Sequence, residues 1–371
     1  MAIIVYVDGT LQTGNNDGSG WENAYRGCGG LQTALNNVAN GSDTIIYVRN
    51  TFSVGTYGST ISIYLGGDYT SNKWLKIIGC DSVTGSPLPQ GQYVTLDAED
   101  TLANHIVSIS NANMVHIENV HFTRVNAIGK AGCYLTASSS KYGFNFVNCK
   151  FTYSDYGIYA SSYNLRNLYI GKCIFLNNIL EDILSYSTST IVINNFFNSS
   201  CQAISAVYGV VINGCILKCT QSSGAVVTAN SSSSQRGEAI IANCTFYCTG
   251  TGGITAISCN SFVGPVITNN IIYLARPESD YPISASRISY EDYNCTNASF
   301  NILTGSHSLN ATDPQFVDAA NGNFRPRNSL VLRCGMPDLA GNPAQIGAIQ
   351  DKYQFISKAK AANFGRLSIF R

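Results

Sequence analysis

Phe146-Val147-Asn148-Cys149-Lys150-Phe151, Ile170-Gly171-Lys172-Cys173-Ile174-Phe175, Ile212-Asn213-Gly214-Cys215-Ile216-Leu217 and Ile241-Ala242-Asn243-Cys244-Thr245-Phe246 are variations on one phrase. Looser copies stand at Ile117-Glu118-Asn119-Val120-His121-Phe122, at Ile193-Asn194-Asn195-Phe196-Phe197 and at Ile267-Thr268-Asn269-Asn270-Ile271-Ile272. Taking the last residue of each of the seven copies, the steps are 29, 24, 22, 20, 29 and 26 residues. A strand-like phrase that returns every twenty to thirty residues is the mark of a stacked solenoid.

Alternate positions within each copy are apolar, as a strand with one buried face requires. One copy is too short to bury that face alone, so neighbouring copies must stack in register. Like residues then lie above like. Phe122, Phe151, Phe175, Phe197, Leu217, Phe246 and Ile272 form one expected interior column. Val120, Cys149, Cys173, Asn195, Cys215, Cys244 and Asn270 form a second. Asn119, Asn148, Asn194, Asn243 and Asn269 form a third at a corner, where Asn tolerates left-handed backbone angles and its amide can bond the next rung. The expected fold is all-β, a right-handed parallel β-helix with an N-terminal capping helix. Roughly ten coils at about 4.8 Å would make a rod on the order of 50 Å long. The 34 Gly and 12% charged residues suit short strands and tight turns.

Residues 1–50 read as a cap of strand, loop, helix and strand. Leu31, Ala34, Leu35 and Val38 follow helical spacing, which predicts a lid helix near residues 30–39. Residues 51–350 read as the β-helix and 351–371 as a basic tail. Tyr6-Val7-Asp8, the stretch Asn16-Asp17-Gly18-Ser19-Gly20-Trp21-Glu22-Asn23-Ala24-Tyr25 and Leu31-Gln32-Thr33-Ala34-Leu35 resemble the opening of pectate-lyase-like β-helix proteins. Asp313-Pro314-Gln315-Phe316-Val317-Asp318-Ala319-Ala320-Asn321-Gly322-Asn323-Phe324, with Ile346-Gly347-Ala348-Ile349, resembles that group's closing segment. The resemblance implies the architecture. It leaves activity open, because the group includes lyases, hydrolases, adhesins and phage spikes.

The 22 basic and 22 acidic residues cancel, which argues against a nucleic-acid partner. No run approaches the roughly 20 apolar residues of a membrane span, so no insertion is expected. Met1-Ala2-Ile3-Ile4-Val5-Tyr6 has neither a positive n-region nor a long apolar stretch. The expectation is synthesis in a host cytoplasm and function in a virion outside it. The thirteen Cys track the interior columns and are expected as free core thiols, with Cys219 and Cys248 the pair nearest to oxidising. His105, His116, His121 and His307 show no ligand spacing, so neither a metal nor a cofactor is expected.

Sugar-cleaving β-helices need paired carboxylates or an acidic Ca²⁺ cluster. Between residues 105 and 275 the acids are Glu118, Asp155, Glu181, Asp182 and Glu238. Asp155, Glu181 and Asp182 are the weak catalytic candidates: Asp155 follows Phe151 by 4, Glu181 and Asp182 follow Phe175 by 6 and 7, and Asp155 would fall near one outer face with either Glu181 or Asp182. Glu181 and Asp182, adjacent in a strand, should point to opposite faces. Three roles stay open: a non-enzymatic structural protein of a phage particle (fibre, spike or capsid decoration), a polysaccharide lyase or hydrolase of the spike type, and a surface adhesin. The first is favoured, with cell-surface polysaccharide as a possible ligand. The tail is expected to dock on a copy of the chain, as a trimer, or on other virion proteins through Lys358, Lys360, Arg366, Ile369, Phe370 and Arg371.

Overall fold

Each coil turns once inside the repeated phrase and twice outside it, and this gives the rod three faces. A computed structural model describes residues 2–38, 42–64, 73–230, 238–260, 264–300, 303–337 and 344–348. Among these, strands stack into parallel sheets of twelve, ten and nine members, with one further two-stranded antiparallel pair. The chain is a right-handed parallel β-helix. In one coil the strand Lys141–Val147 lies in the first sheet, Lys150–Thr152 in the second and Tyr156–Ala160 in the third. The next coil repeats this with Leu165–Gly171, Ile174–Leu176 and Glu181–Ser185.

The corner between first and second sheets is made by the asparagine column. Asn119, Asn148, Asn194, Asn243 and Asn269 all have φ between 49° and 60°, and Lys172 and Gly214 occupy the same place at 59° and 66°. Asn148 donates to the Asn119 side-chain oxygen, Asn269 to that of Asn243 at 2.6 Å, and Asn243 to that of Asn213 at 2.8 Å. One residue type therefore supplies both the left-handed angle and the rung-to-rung bond.

Inside, Phe122, Phe151, Phe175 and Phe197 stack with ring centroids 4.8, 5.0 and 4.9 Å apart and planes within 10°. The second column is equally buried, and its asparagines do what a thiol cannot. Asn195 accepts from the Cys173 N–H and donates to the Ile170 carbonyl, and Asn270 does the same for Cys244 and Ile241. All thirteen cysteines are free, Cys219 and Cys248 included, although these two are in-register neighbours. Burial pushes the Cys219 thiol up to about 11 and holds the Cys248 thiol well above its ordinary value.

The lid helix runs Gly27–Asn36, three residues earlier than the apolar spacing predicts; Asn37 ends it by donating to the Leu35 and Thr33 carbonyls. Leu31, Ala34 and Leu35 are buried against the first coils. The segment does not sit apart from the coils. Ile3–Asp8 pairs along its length with Thr44–Arg49, which pairs with Leu75–Cys80. At the far end, the antiparallel pair Phe316–Asp318 and Asn323–Pro326 lies across the outside of the second sheet, with Phe316 and Phe324 against Tyr247. No helix of the described residues is long and apolar enough to cross a membrane.

Candidate functional site: a tyrosine ladder beside a partly buried carboxyl

The three candidate acids converge on one corner, between the second and third sheets, but they face three ways. Asp155 is buried in the bend before Tyr156–Ala160. Its Oδ2 accepts from the Gly129 N–H at 2.5 Å, and its carbonyl accepts from the N–H groups of Leu180 and Glu181 at 2.9 and 3.1 Å. This carboxylate ties the loop of the preceding coil to its own. Glu181 opens the next strand of the third sheet and lies in register with Tyr156 on one side and Gln202 on the other. It is half-buried, and its Oε2 has no partner among the described residues. Burial raises its carboxyl to about 7.

Asp182 turns inward and is fully buried. Its Oδ1 accepts from Asn178 Nδ2 at 2.7 Å and Ser199 Oγ at 2.8 Å, while Oδ2 has no partner among the described residues. Burial also raises this carboxyl to about 7, against the lowering effect of those two bonds. The backbone is crowded here, since a Cβ on Gly157 would come within 2.6 Å of the Asp182 carbonyl oxygen and 2.8 Å of the Phe175 ring. The adjacent acids thus diverge, as strand geometry demands. Of the two adjacent acids, Glu181 is the one that meets the surface; Asp182 lies inside, and Asp155 is buried in its bend.

The surface around Glu181 is aromatic. Tyr134 and Tyr159 are in-register neighbours on the outer face of the third sheet, with ring centroids 5.4 Å apart. Tyr156 lies 5.0 Å and Tyr186 6.5 Å from Tyr159. His105 extends the row, stacked on Tyr134 at 4.3 Å with planes 6° apart. His105 Nδ1 accepts from the Ala131 N–H at 2.9 Å, so its proton sits on Nε2. Burial and then the nearby Lys130 charge lower this imidazole to about 4, so the ring is neutral. Burial, then the Glu181 carboxylate, raises the Tyr156 phenol, and burial and its tyrosine neighbours raise that of Tyr159. Both hydroxyls therefore remain donors through the neutral range. Further along the same face the register continues with Leu184, Ser205, Thr228, Ser258 and Ser284. The row from His105 to Tyr186 covers four rungs, about 14 Å.

Sequence reasoning noted the many tyrosines but named none of these. Tyr134 follows Phe122 by 12 residues, Tyr159 follows Phe151 by 8 and Tyr186 follows Phe175 by 11. The intervening corner varies in length and hides the column. Lys358, Lys360, Arg366, Ile369, Phe370 and Arg371 lie outside the described residues. Among the described residues, no group of three or more His, Cys, Asp or Glu side chains is placed to hold a metal ion.

No family model matches the sequence, and no curated protein matches it. Among solved structures, the chain is similar to the pectin methylesterase from Aspergillus niger at 14% identity and a TM-score of 0.41, over 83% of this chain and 90% of that one.

Proposed function

We propose that this chain is a non-enzymatic, polysaccharide-contacting rod, of the fibre, spike or decoration kind that a phage particle carries. The observation that supports the reading best is the row of Tyr134, Tyr156 and Tyr159 on the third sheet, extended by His105 and Tyr186 just outside its strands. Each tyrosine offers an apolar ring face and a polar tip, which suits a ligand whose rings have apolar faces and hydroxyl rims. The sheet fixes their spacing before any ligand arrives, so little ordering entropy is lost on binding. Hydrolysis by a carboxylate pair would need a second carboxyl placed across the ligand from Glu181. Asp182 points into the core, and Asp155 is held by Gly129. Assembly as a homo-oligomer through the 351–371 tail, onto a particle, belongs to the same proposal and is motivated by the tail's charge.

Affinity electrophoresis against a panel of bacterial surface polysaccharides tests the binding role. A bound glycan should be lost by about tenfold in Tyr159→Ala, the equivalent of about 1.4 kcal/mol. No binding across the panel, or binding that Tyr159→Ala leaves intact, would remove the proposal. One observation favours a depolymerase instead. Glu181 is a carboxyl kept protonated near neutrality beside the ladder, a condition suited to a general acid. Release of reducing ends or unsaturated sugars that disappears in Glu181→Gln would establish that second reading.

A further inference from the structure

Where the second sheet passes into the third, three successive coils turn through loops that leave large apolar side chains in water. Ile128 stands in the first loop, Tyr153 in the second, and Ile179 and Leu180 in the third; they are 95%, 53%, 60% and 45% exposed. Exposed apolar groups are ordinary when scattered singly, but gathered on neighbouring rungs they mark a contact surface. The backbone beneath these four is fixed. Asp155 Oδ2 accepts from the Gly129 N–H beside Ile128, and the Asp155 carbonyl accepts from the N–H groups of Leu180 and Glu181. The Ile179 N–H donates to the Ser154 carbonyl at 2.9 Å, and the Ser154 N–H donates to Asn178 Oδ1 at 3.2 Å. Tyr153 itself sits at φ 55°, a left-handed angle that a bulky residue adopts only where its surroundings impose it. A ridge built on such a backbone loses little entropy when it is covered.

The ridge borders the tyrosine row. Leu180 directly precedes Glu181, which lies in register with Tyr156, and Asp155 directly precedes Tyr156. From Ile128 to Leu180 the ridge spans two rungs, about 10 Å, beside the rungs that carry Tyr134 and Tyr159. Glu181 stands at the boundary, close enough for its charge to raise the Tyr156 phenol. It is half-buried, and its enclosed Oε2 has no partner among the described residues, which leaves the exposed part of the carboxyl to bond a ligand. Burial keeps that carboxyl protonated up to about 7, so it is a donor. A sugar ring lying on the tyrosines therefore meets an O–H donor at one edge and an aliphatic ridge beyond it. A hydroxyl substituent satisfies only the first. An acetyl group satisfies both, because its carbonyl accepts from the carboxyl while its methyl covers the ridge.

We infer that the polysaccharide this chain contacts is acetylated, with acetyl methyl groups seated on Ile128, Ile179 and Leu180 and an acetyl carbonyl bonded by Glu181. The inference rests on the glycan reading and adds the chemistry of the ligand to it. Binding takes out of water an apolar surface that the fold itself leaves uncovered. A polymer of bare hydroxyls would leave that surface wet. N-acetyl and O-acetyl groups present the same methyl and carbonyl, so the ridge accepts either, and the treatment of the polymer tells them apart.

Affinity electrophoresis of the full chain tests it. Each polysaccharide of the panel is run untreated, after mild alkali, which removes O-acetyl groups, and after N-deacetylation in strong alkali. The polymer that retards the chain should lose at least about fourfold in affinity after one of the treatments, as expected for one buried methyl, and the effective treatment identifies the linkage. The double variant Ile179→Ser with Leu180→Ser should lose a similar factor on the untreated polymer and nothing further on the deacetylated one. Ile128→Ser, two rungs away, should act in the same direction. Retardation that survives both treatments, or that these variants leave intact, would overturn the inference and leave the glycan reading standing. Retardation by no polymer would overturn both. Self-association lost in the double variant while retardation is unchanged would assign the ridge to a protein contact, and that also overturns the inference.

Discussion

Replacing Asp182 by Asn should make the protein's stability markedly less dependent on pH. The carboxyl is fully buried, and burial raises it from its ordinary 3.8 to about 7. Below about pH 3.8 it is neutral in the folded and unfolded chains alike, and its ionisation costs nothing. Above that, the unfolded carboxyl ionises while the folded one stays protonated, so the unfolded state gains. Stability therefore falls as pH rises, by about 1.4 kcal/mol per unit, until the folded group itself ionises near pH 7. The accumulated loss is roughly 4 kcal/mol. Asn has nearly the same shape. Its Oδ1 can accept from Asn178 and Ser199 as the carboxyl does, and its amide nitrogen replaces an oxygen that has no partner among the described residues. The two proteins should unfold alike in urea at pH 4, and Asp182→Asn should be the more stable by roughly 4 kcal/mol at pH 8. Comparing them at each pH cancels every other titrating group, including His105 and His121, whose depressed values act in the opposite sense. A difference that stays constant from pH 4 to pH 8 would show that Asp182 is not held neutral in the core, and the reasoning would fail.

Phe175→Ala should cost about 3–5 kcal/mol, read as a lowered urea midpoint, because it opens a hole in a ring stack that has no exposed face. Gly157→Ala should destabilise by about 1–3 kcal/mol through overpacking against the Asp182 carbonyl and the Phe175 ring; an unchanged midpoint would mean that the corner relaxes freely. Thiol titration with a disulfide reagent should find thirteen reactive groups in denaturant but, in the native protein, fast reaction only at Cys334, the one cysteine that is not buried. An anionic polysaccharide bound at the tyrosine ladder should be held less tightly as pH rises through about 7, where Glu181 gains its charge, and Glu181→Gln should abolish that dependence.

The fold was legible in one chain because in-register stacking writes the same residue at the same place in every coil. Phe151, Phe175 and Phe197 form a column in the sequence because each ring's best neighbour is another ring one rung away. The asparagine corner is equally local, fixed by φ at one residue and an amide bond to the next coil. The site obeys neither condition. Tyr134, Tyr159 and Tyr186 follow a corner of changing length, so their alignment depends on where each loop lets the third strand begin. Adjacency in the strand set Glu181 and Asp182 on opposite faces, but only the packed structure decided which one met the core and which met the tyrosines. The closing segment shows the same divide. Phe316 and Phe324 mark an ending in the sequence, but their seat on Tyr247 joins residues about seventy positions apart. Repetition determined the rod, because each rung needs only its neighbour. Tertiary structure decided the surface, because there each contact depends on loops that the repeat does not control.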